Sequence, residues 1–192
     1  MIDRMILGHN QFFGVNHLDA EKGDIKAARF SDVSRIMQVI EFCRQEGVNG
    51  LMMSTHERAE SVAEAIRADN ELNNSLGVYL LVPYIAKYVK QANEKGIVNI
   101  IIDSLSNTSF TGKLGMFMRG GKGVLTRDVK TMITLLVDVE IARYAKLNLK
   151  AIFLHDVITD LILGWDMPEV LQLFYDHVKN KYDTVPAFCT KN

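Results

Sequence analysis

Five short apolar runs in this chain stop abruptly at polar residues: "RMILGHN" (4–10), "GLMMSTH" (50–56), "NIIIDS" (99–104), "AIFLHD" (151–156) and "VPAFCTKN" (185–192). A continuous apolar run without polar alternation belongs to a strand covered on both faces, which is the habit of parallel sheets. Between the runs lie longer stretches with helical spacing. In "SDVSRIMQVIEFCRQEG" Ser31 is placed to cap the start, Val33, Ile36, Met37, Ile40 and Cys43 share one stripe, and Gly47 ends it. "ERAESVAEAIRA" (57–68) and "IAKYVKQANEKG" (85–96) read as helices and "GVYLLVP" (77–83) as another strand. A long helix is expected over 128–147, and Pro168 falls near the start of a further one.

The order is strand and helix, repeated six times. Such alternation requires crossover connections, so the sheet is expected to be parallel with helices on its faces. Two α/β architectures fit: a (β/α) barrel and an open doubly wound sheet. No G-x-G-x-x-G follows the first strand, where "LGHNQFFG" stands instead, which removes the support for a nucleotide-binding open sheet. Polar groups at the end of nearly every strand favour the barrel, whose site draws on many strand ends. The expectation is one barrel-type domain over residues 1–192, with six βα units and the last two of a full barrel missing.

Composition narrows the partners. With a net charge of −1 there is no basic field to hold a nucleic acid. No apolar run approaches the roughly 18 residues that a membrane span needs. Cys43 and Cys189 lie far apart without C-x-x-C spacing, which fits a reducing compartment, so the expected location is cytoplasmic.

The segments "MILGHNQFFG" and "GVNGLMMSTHERAESVAEAI" resemble the first and second strand regions of the aldo/keto reductase style of barrel, over about the first 70 residues. The resemblance implies a barrel fold and an oxidoreductase relative that uses a nicotinamide cofactor. That family's catalytic set is an aspartate and a tyrosine after the second strand, a lysine after the third and a histidine after the fourth. Here Ser54, Thr55 and His56 follow the second strand, Pro83 and Tyr84 the third, and Asp103 the fourth, so none of these roles carries over. The family holds its cofactor largely through the last barrel units, beyond the six read here.

The strand ends themselves supply the candidate site. His56 and His155 each end a strand, where an imidazole with a near-neutral pKa can accept or donate a proton. Asp103 follows three isoleucines and needs a partner, because an unpaired buried carboxylate is costly. Asp156 is expected on the opposite side of its strand from His155, capping the helix that follows. Lys191 ends the sixth strand, the position of a Schiff-base lysine in several barrel aldolases. His9 and Asn10 after the first strand, and Tyr84 after the third, are expected to contact substrate, whereas His17 and His177 are expected at the surface.

The connection at 104–127 carries Lys113, Arg119, Lys122 and Arg127 without an acidic residue, and contains "RGGKG". Cations beside glycine amides suit a phosphate or carboxylate. The sequence therefore points to a small-molecule enzyme with His56, Asp103, His155 and Lys191 as catalytic candidates. His9, Asn10, Tyr84, Lys113, Arg119 and Lys122 are candidates for binding an anionic substrate. The alternatives are a non-catalytic subunit, or an inactive fragment of a longer barrel protein, that pairs with another copy or with the remaining barrel units through its open sheet edges. A divalent metal or a nicotinamide is compatible with these residues, but neither H-x-H nor H-E-x-x-H spacing specifies a metal site.

Overall fold

Among the described residues the uninterrupted apolar runs form a parallel sheet. The computed structural model describes residues 2–16, 18–84 and 127–191. Its five described strands are β1 (Ile6–Leu7), β2 (Gly50–Ser54), β3 (Gly77–Val82), β4 (Leu149–Leu154) and β5 (Val185–Phe188). They lie in the order β1-β2-β3-β4-β5, all parallel. Ile6 stands opposite Gly50, and β2 and β3 pair from Gly50 with Gly77 through Ser54 with Leu81. β3 pairs directly with β4 through Val78 N–H to the Asn148 carbonyl at 2.9 Å and His155 N–H to the Val82 carbonyl at 2.8 Å. The helix expected at 85–96 and the strand expected at 98–103 lie outside the described residues.

Eight described helices connect these strands: α1 (Asn10–Phe13), α2 (Ala20–Arg29), α3 (Val33–Gln45), α4 (Ala59–Ala68), α5 (Asn70–Ser75), α6 (Arg127–Ile141), α7 (Asp156–Gly164) and α8 (Pro168–Tyr182). The chain divides into two compact units, Met1–Leu81 with Ile141–Ile152 and Val82–Glu140 with Phe153–Asn192.

In the first unit, α3 starts at Asp32, not Ser31, because the Asp32 carboxylate accepts the Ser34 N–H at 2.8 Å. Its stripe buries Ile36 and Ile40, and Gly47 follows in a left-handed conformation, φ +83°. α4 buries Ala59, Val62, Ala63 and Ile66, spaced i, i+3, i+4, i+7, so one face is wholly apolar. These side chains join Leu51, Met53, Val78, Tyr79, Leu80, Ala151 and Ile152 in a core of almost fully buried residues.

Helix α6 ends at Ile141, and turns carry the chain to β4 where a helix to residue 147 was expected. α8 has Pro168 in its first turn, as expected, and buries Val170, Phe174 and Val178 along one face. Asp138 of α6 accepts from His177 Nε2 at 2.7 Å, Lys181 Nζ at 2.6 Å and the Tyr182 hydroxyl at 2.6 Å, which ties α6 to α8. His177, expected at the surface, is therefore a partly buried structural donor. No helix among the described residues is long and apolar enough to cross a membrane.

Candidate functional site

In the first unit, the residues that follow β1 and β2 bring two of the expected histidines onto one aromatic ring. The residues after β1 turn at once into α1, with His9 at its N-cap, and this places Phe13 one turn on. The Phe13 ring stacks on His56, with centroids 4.8 Å apart and planes 6° from parallel, and meets His9 at 5.3 Å. His9 is buried and His56 half-buried. His56 Nδ1 accepts the Arg58 N–H at 3.0 Å, so its proton is assigned to Nε2. Burial pushes the imidazole below its ordinary value; the Arg58 cation adds to this and Glu57 opposes it. At neutral pH His56 is an uncharged Nε2–H donor. Asn10 opens α1 and is exposed.

In the second unit, β4 and β5 end beside each other, joined by Cys189 N–H to the Leu154 carbonyl at 3.0 Å. His155 follows β4 and stands at the N-cap position of α7. Its Nδ1 lies 2.6 Å from Asp156 Oδ1, and Asp156 Oδ2 lies 3.2 Å from Lys191 Nζ. The Val157 N–H donates to the same Asp156 Oδ1 at 2.8 Å and makes only a long 3.3 Å approach to His155 Nδ1. These lengths assign the His155 proton to Nδ1, donated to Asp156, and its lone pair to Nε2.

The expectation that Asp156 points away from His155 is corrected by this geometry. The strand stops at Leu154, and His155, at φ −61° and ψ 142°, begins the turn into α7. Alternation across a strand no longer governs residue 156. Asp156 nonetheless serves the helix start as expected, through Val157 N–H.

Charge and burial set the protonation states. Burial lowers the His155 pKa below its ordinary value; Lys191 also lowers it, while Asp156 pulls it up. Burial pushes the Asp156 carboxyl up, but the bonds from Val157 and Lys191 and the field of His155 and Lys191 together hold it below its ordinary value. The half-buried Cys189 thiol is pushed up by burial and by the Asp156 charge, so it stays protonated at neutral pH. The arrangement is a neutral imidazole held by a carboxylate that is itself held by an ammonium.

Lys191 is tied back to α7 through its backbone. The Thr190 hydroxyl donates to Asp160 Oδ1 at 2.6 Å, and the Lys191 N–H donates to Asp160 Oδ2 at 3.2 Å. One carboxylate a turn into α7 thus holds the backbone from which the Lys191 side chain, 73% exposed, reaches Asp156.

Tyr84 is half-buried just beyond the cis Val82–Pro83 peptide. Asp103, Lys113, Arg119 and Lys122 lie outside the described residues. Among the described residues no group of three or more His, Cys, Asp or Glu side chains is arranged to hold a metal ion. The second unit also holds an apolar cavity of about 180 Å³, walled by Pro83, Leu154, Ile158, Trp165 and Phe174 among others. None of the candidate polar residues is among its described lining.

Sequence reasoning missed Phe13, Asp160 and the Asp156 contact. The available signal was the recurrence of a histidine followed by a polar residue at three strand ends: His9-Asn10, His56-Glu57 and His155-Asp156. Comparison with protein-family models, characterised proteins and solved structures gives no match for this chain.

Proposed function

We propose that this chain is a small-molecule enzyme that carries out general acid/base chemistry at the carboxyl ends of its parallel strands, with His155 as the proton acceptor. The observation that carries this reading is the 2.6 Å contact between His155 Nδ1 and Asp156. It leaves an imidazole that is neutral at physiological pH with its lone pair on Nε2, the atom that takes a substrate proton. His56, with its proton on Nε2, has the complementary character of a donor. In this reading Lys191 is the counter-ion of Asp156 and not a Schiff-base amine.

The scaffold is proposed to be of the (β/α) barrel type. The support is the all-parallel, sequential order of the described strands, which shows no switch point; the direct pairing of β3 with β4 departs from the six-unit order read from the sequence, since it leaves no place between them for the strand expected at 98–103. That the substrate carries a phosphate or carboxylate rests on the composition of 104–127 alone. A near-neutral chain in a reducing, cytoplasmic setting suits a metabolite-sized substrate better than a nucleic acid.

The test begins with thermal unfolding against sugar phosphates and small carboxylic acids. A true ligand at a hundred times its Kd adds about 2.7 kcal/mol of stability. Turnover of a hit, followed by loss of protons to deuterated water, should fall roughly 10²- to 10⁴-fold in His155→Ala with binding retained. Turnover that survives this substitution refutes the role of His155.

A second, non-catalytic reading draws on the exposed apolar residues at the two outer described strands, Ile6 at 37%, Val185 at 46% and Phe188 at 39%. Such edges invite pairing with another copy. A size-exclusion profile that shows self-association, together with no ligand-dependent stabilisation, would favour it.

A further inference from the structure

We infer that Asp156 and Lys191 are positioning residues that fix His155 as its Nδ1–H tautomer, through a chain of contacts that begins at Asp160. The inference deepens the acid/base reading of this site and rests on it for catalytic meaning. Its geometry, however, is read from contacts within one unit of the molecule and is tested without a substrate.

The competition at one backbone amide makes the tautomer conditional. Val157 N–H faces two acceptors, Asp156 Oδ1 at 2.8 Å and His155 Nδ1 at 3.3 Å. While Asp156 takes that N–H and the Nδ1 proton together, the imidazole lone pair is on Nε2. Without the carboxylate, Nδ1 becomes the only one of these two acceptors left for Val157 N–H. An acceptor nitrogen cannot carry a proton, so the proton moves to Nε2 and the base becomes a donor. His56 shows the outcome in this same chain: its Nδ1 accepts the N–H two residues on, from Arg58, at 3.0 Å. Glu57 occupies the place equivalent to Asp156, yet the histidine there is capped by the amide.

Lys191 enters because it holds the other oxygen of Asp156, at 3.2 Å. It can do so because Asp160 fixes the backbone of residues 190 and 191 by two hydrogen bonds. The charged and titratable groups around the imidazole are then Asp156 and Lys191, with the Cys189 thiol beside Asp156 and Asp160 one turn along α7. Among these groups Asp156 is the one in contact with the imidazole, at 2.6 Å; Lys191 holds that carboxylate in place and adds its own charge to the field at the ring.

The experiment is nitrogen-15 NMR of the imidazoles in the full chain, at a pH above the ordinary histidine value, with His155 assigned by its loss in His155→Gln. In the unmodified protein Nδ1 of His155 should show the shift of a protonated nitrogen and Nε2 that of an unprotonated one. Asp156→Ala should exchange the two. Lys191→Met should move both shifts part of the way, and Lys191→Arg should restore them. Titration gives an independent readout with opposite signs, since the His155 midpoint should rise in Lys191→Met, which loses a cation, and fall in Asp156→Ala. An unprotonated Nδ1 in the unmodified protein overturns the inference, as does an unchanged tautomer in Asp156→Ala. If Asp156→Ala fails to fold, the Lys191→Met and Lys191→Arg pair decides in the same way. Absence of any turnover would refute the acid/base reading and leave these shifts where they are, so the two failures are distinguishable.

Discussion

The imidazole of His56 lies flat on the ring of Phe13, 4.8 Å between centroids and 6° from parallel. A stacked, half-buried imidazole loses hydration that only its charged form needs strongly, and burial accordingly lowers its pKa from the ordinary 6.5. His155 is shifted in the same direction, also mainly by burial.

The sign of the effect on stability follows from linkage. Each histidine takes up its proton in the unfolded chain at a higher pH than in the folded one, so the unfolded state binds more protons across the interval. Stability is complete above the unfolded value and is lost as pH falls through it, levelling off below the folded value. Stability to urea should therefore weaken as pH falls below about 7, and the His56→Gln/His155→Gln double variant should show a shallower decline. Equal slopes in both proteins would mean that neither histidine is shifted as the geometry requires.

Tyr79 is fully buried in β3, and its hydroxyl donates to Asp3 Oδ2 at 2.6 Å while accepting the Asp3 N–H at 2.7 Å. Tyr79→Phe preserves the packed ring but removes the partner of both Asp3 groups. The expected loss is about 1–3 kcal/mol, read from the shift of the urea midpoint at unchanged slope. A neutral result would show that water replaces the hydroxyl at Asp3.

Much of this framework was legible in the residues. The runs Gly50–Ser54 and Gly77–Val82 announced doubly covered strands because their apolar residues do not alternate, and each is buried at all but one position. Helix α3 was legible through its stripe and Gly47. Helix α2 was not, because half of "AEKGDIKAAR" is charged and it contains Gly23, so it has no core stripe to read. The partners of the site residues were hidden for a different reason. Asp160 reaches Thr190, 30 residues away, and Asp138 reaches His177, 39 away; such contacts follow from how elements pack and leave no local pattern.

Asp138 offers a sharper electrostatic test. Burial pushes its carboxyl up, but the bonds from Lys181, Tyr182 and His177 prevail and hold it below the ordinary 3.8. A depressed carboxylate contributes stability above its unfolded value, and that contribution disappears as pH falls through the folded one. Asp138→Ala should cost about 2 kcal/mol at neutral pH, and the gap to the unmodified protein should narrow below about pH 4. Urea titrations at the two pH values check this, and a gap independent of pH would make the loss one of packing and not of charge.

The last prediction concerns two glycines that let α1 and α2 meet backbone to backbone. A Cβ on Gly14 would lie 2.7 Å from Ala27 Cβ and 3.0 Å from the Gly23 carbonyl, and one on Gly23 would lie 2.5 Å from the Gly14 carbonyl. Gly14 also has φ +74°, so alanine there meets both strain and overlap. Gly47, at φ +83° with nothing within 4 Å of its Cβ position, isolates the strain. Gly47→Ala should then cost about 1–2 kcal/mol, and Gly14→Ala more by a further 1–3 kcal/mol or so for the overlap. Gly23→Ala gives the cleanest sign, because in an exposed helix interior this change would stabilise by roughly 1 kcal/mol, whereas here it should destabilise. The two alanines at 14 and 23 oppose the same contact, so their combined cost should fall short of the sum. Urea unfolding of the four variants measures all of this, and a stabilised Gly23→Ala would show that α1 and α2 do not pack as closely as the Gly14 and Gly23 distances indicate.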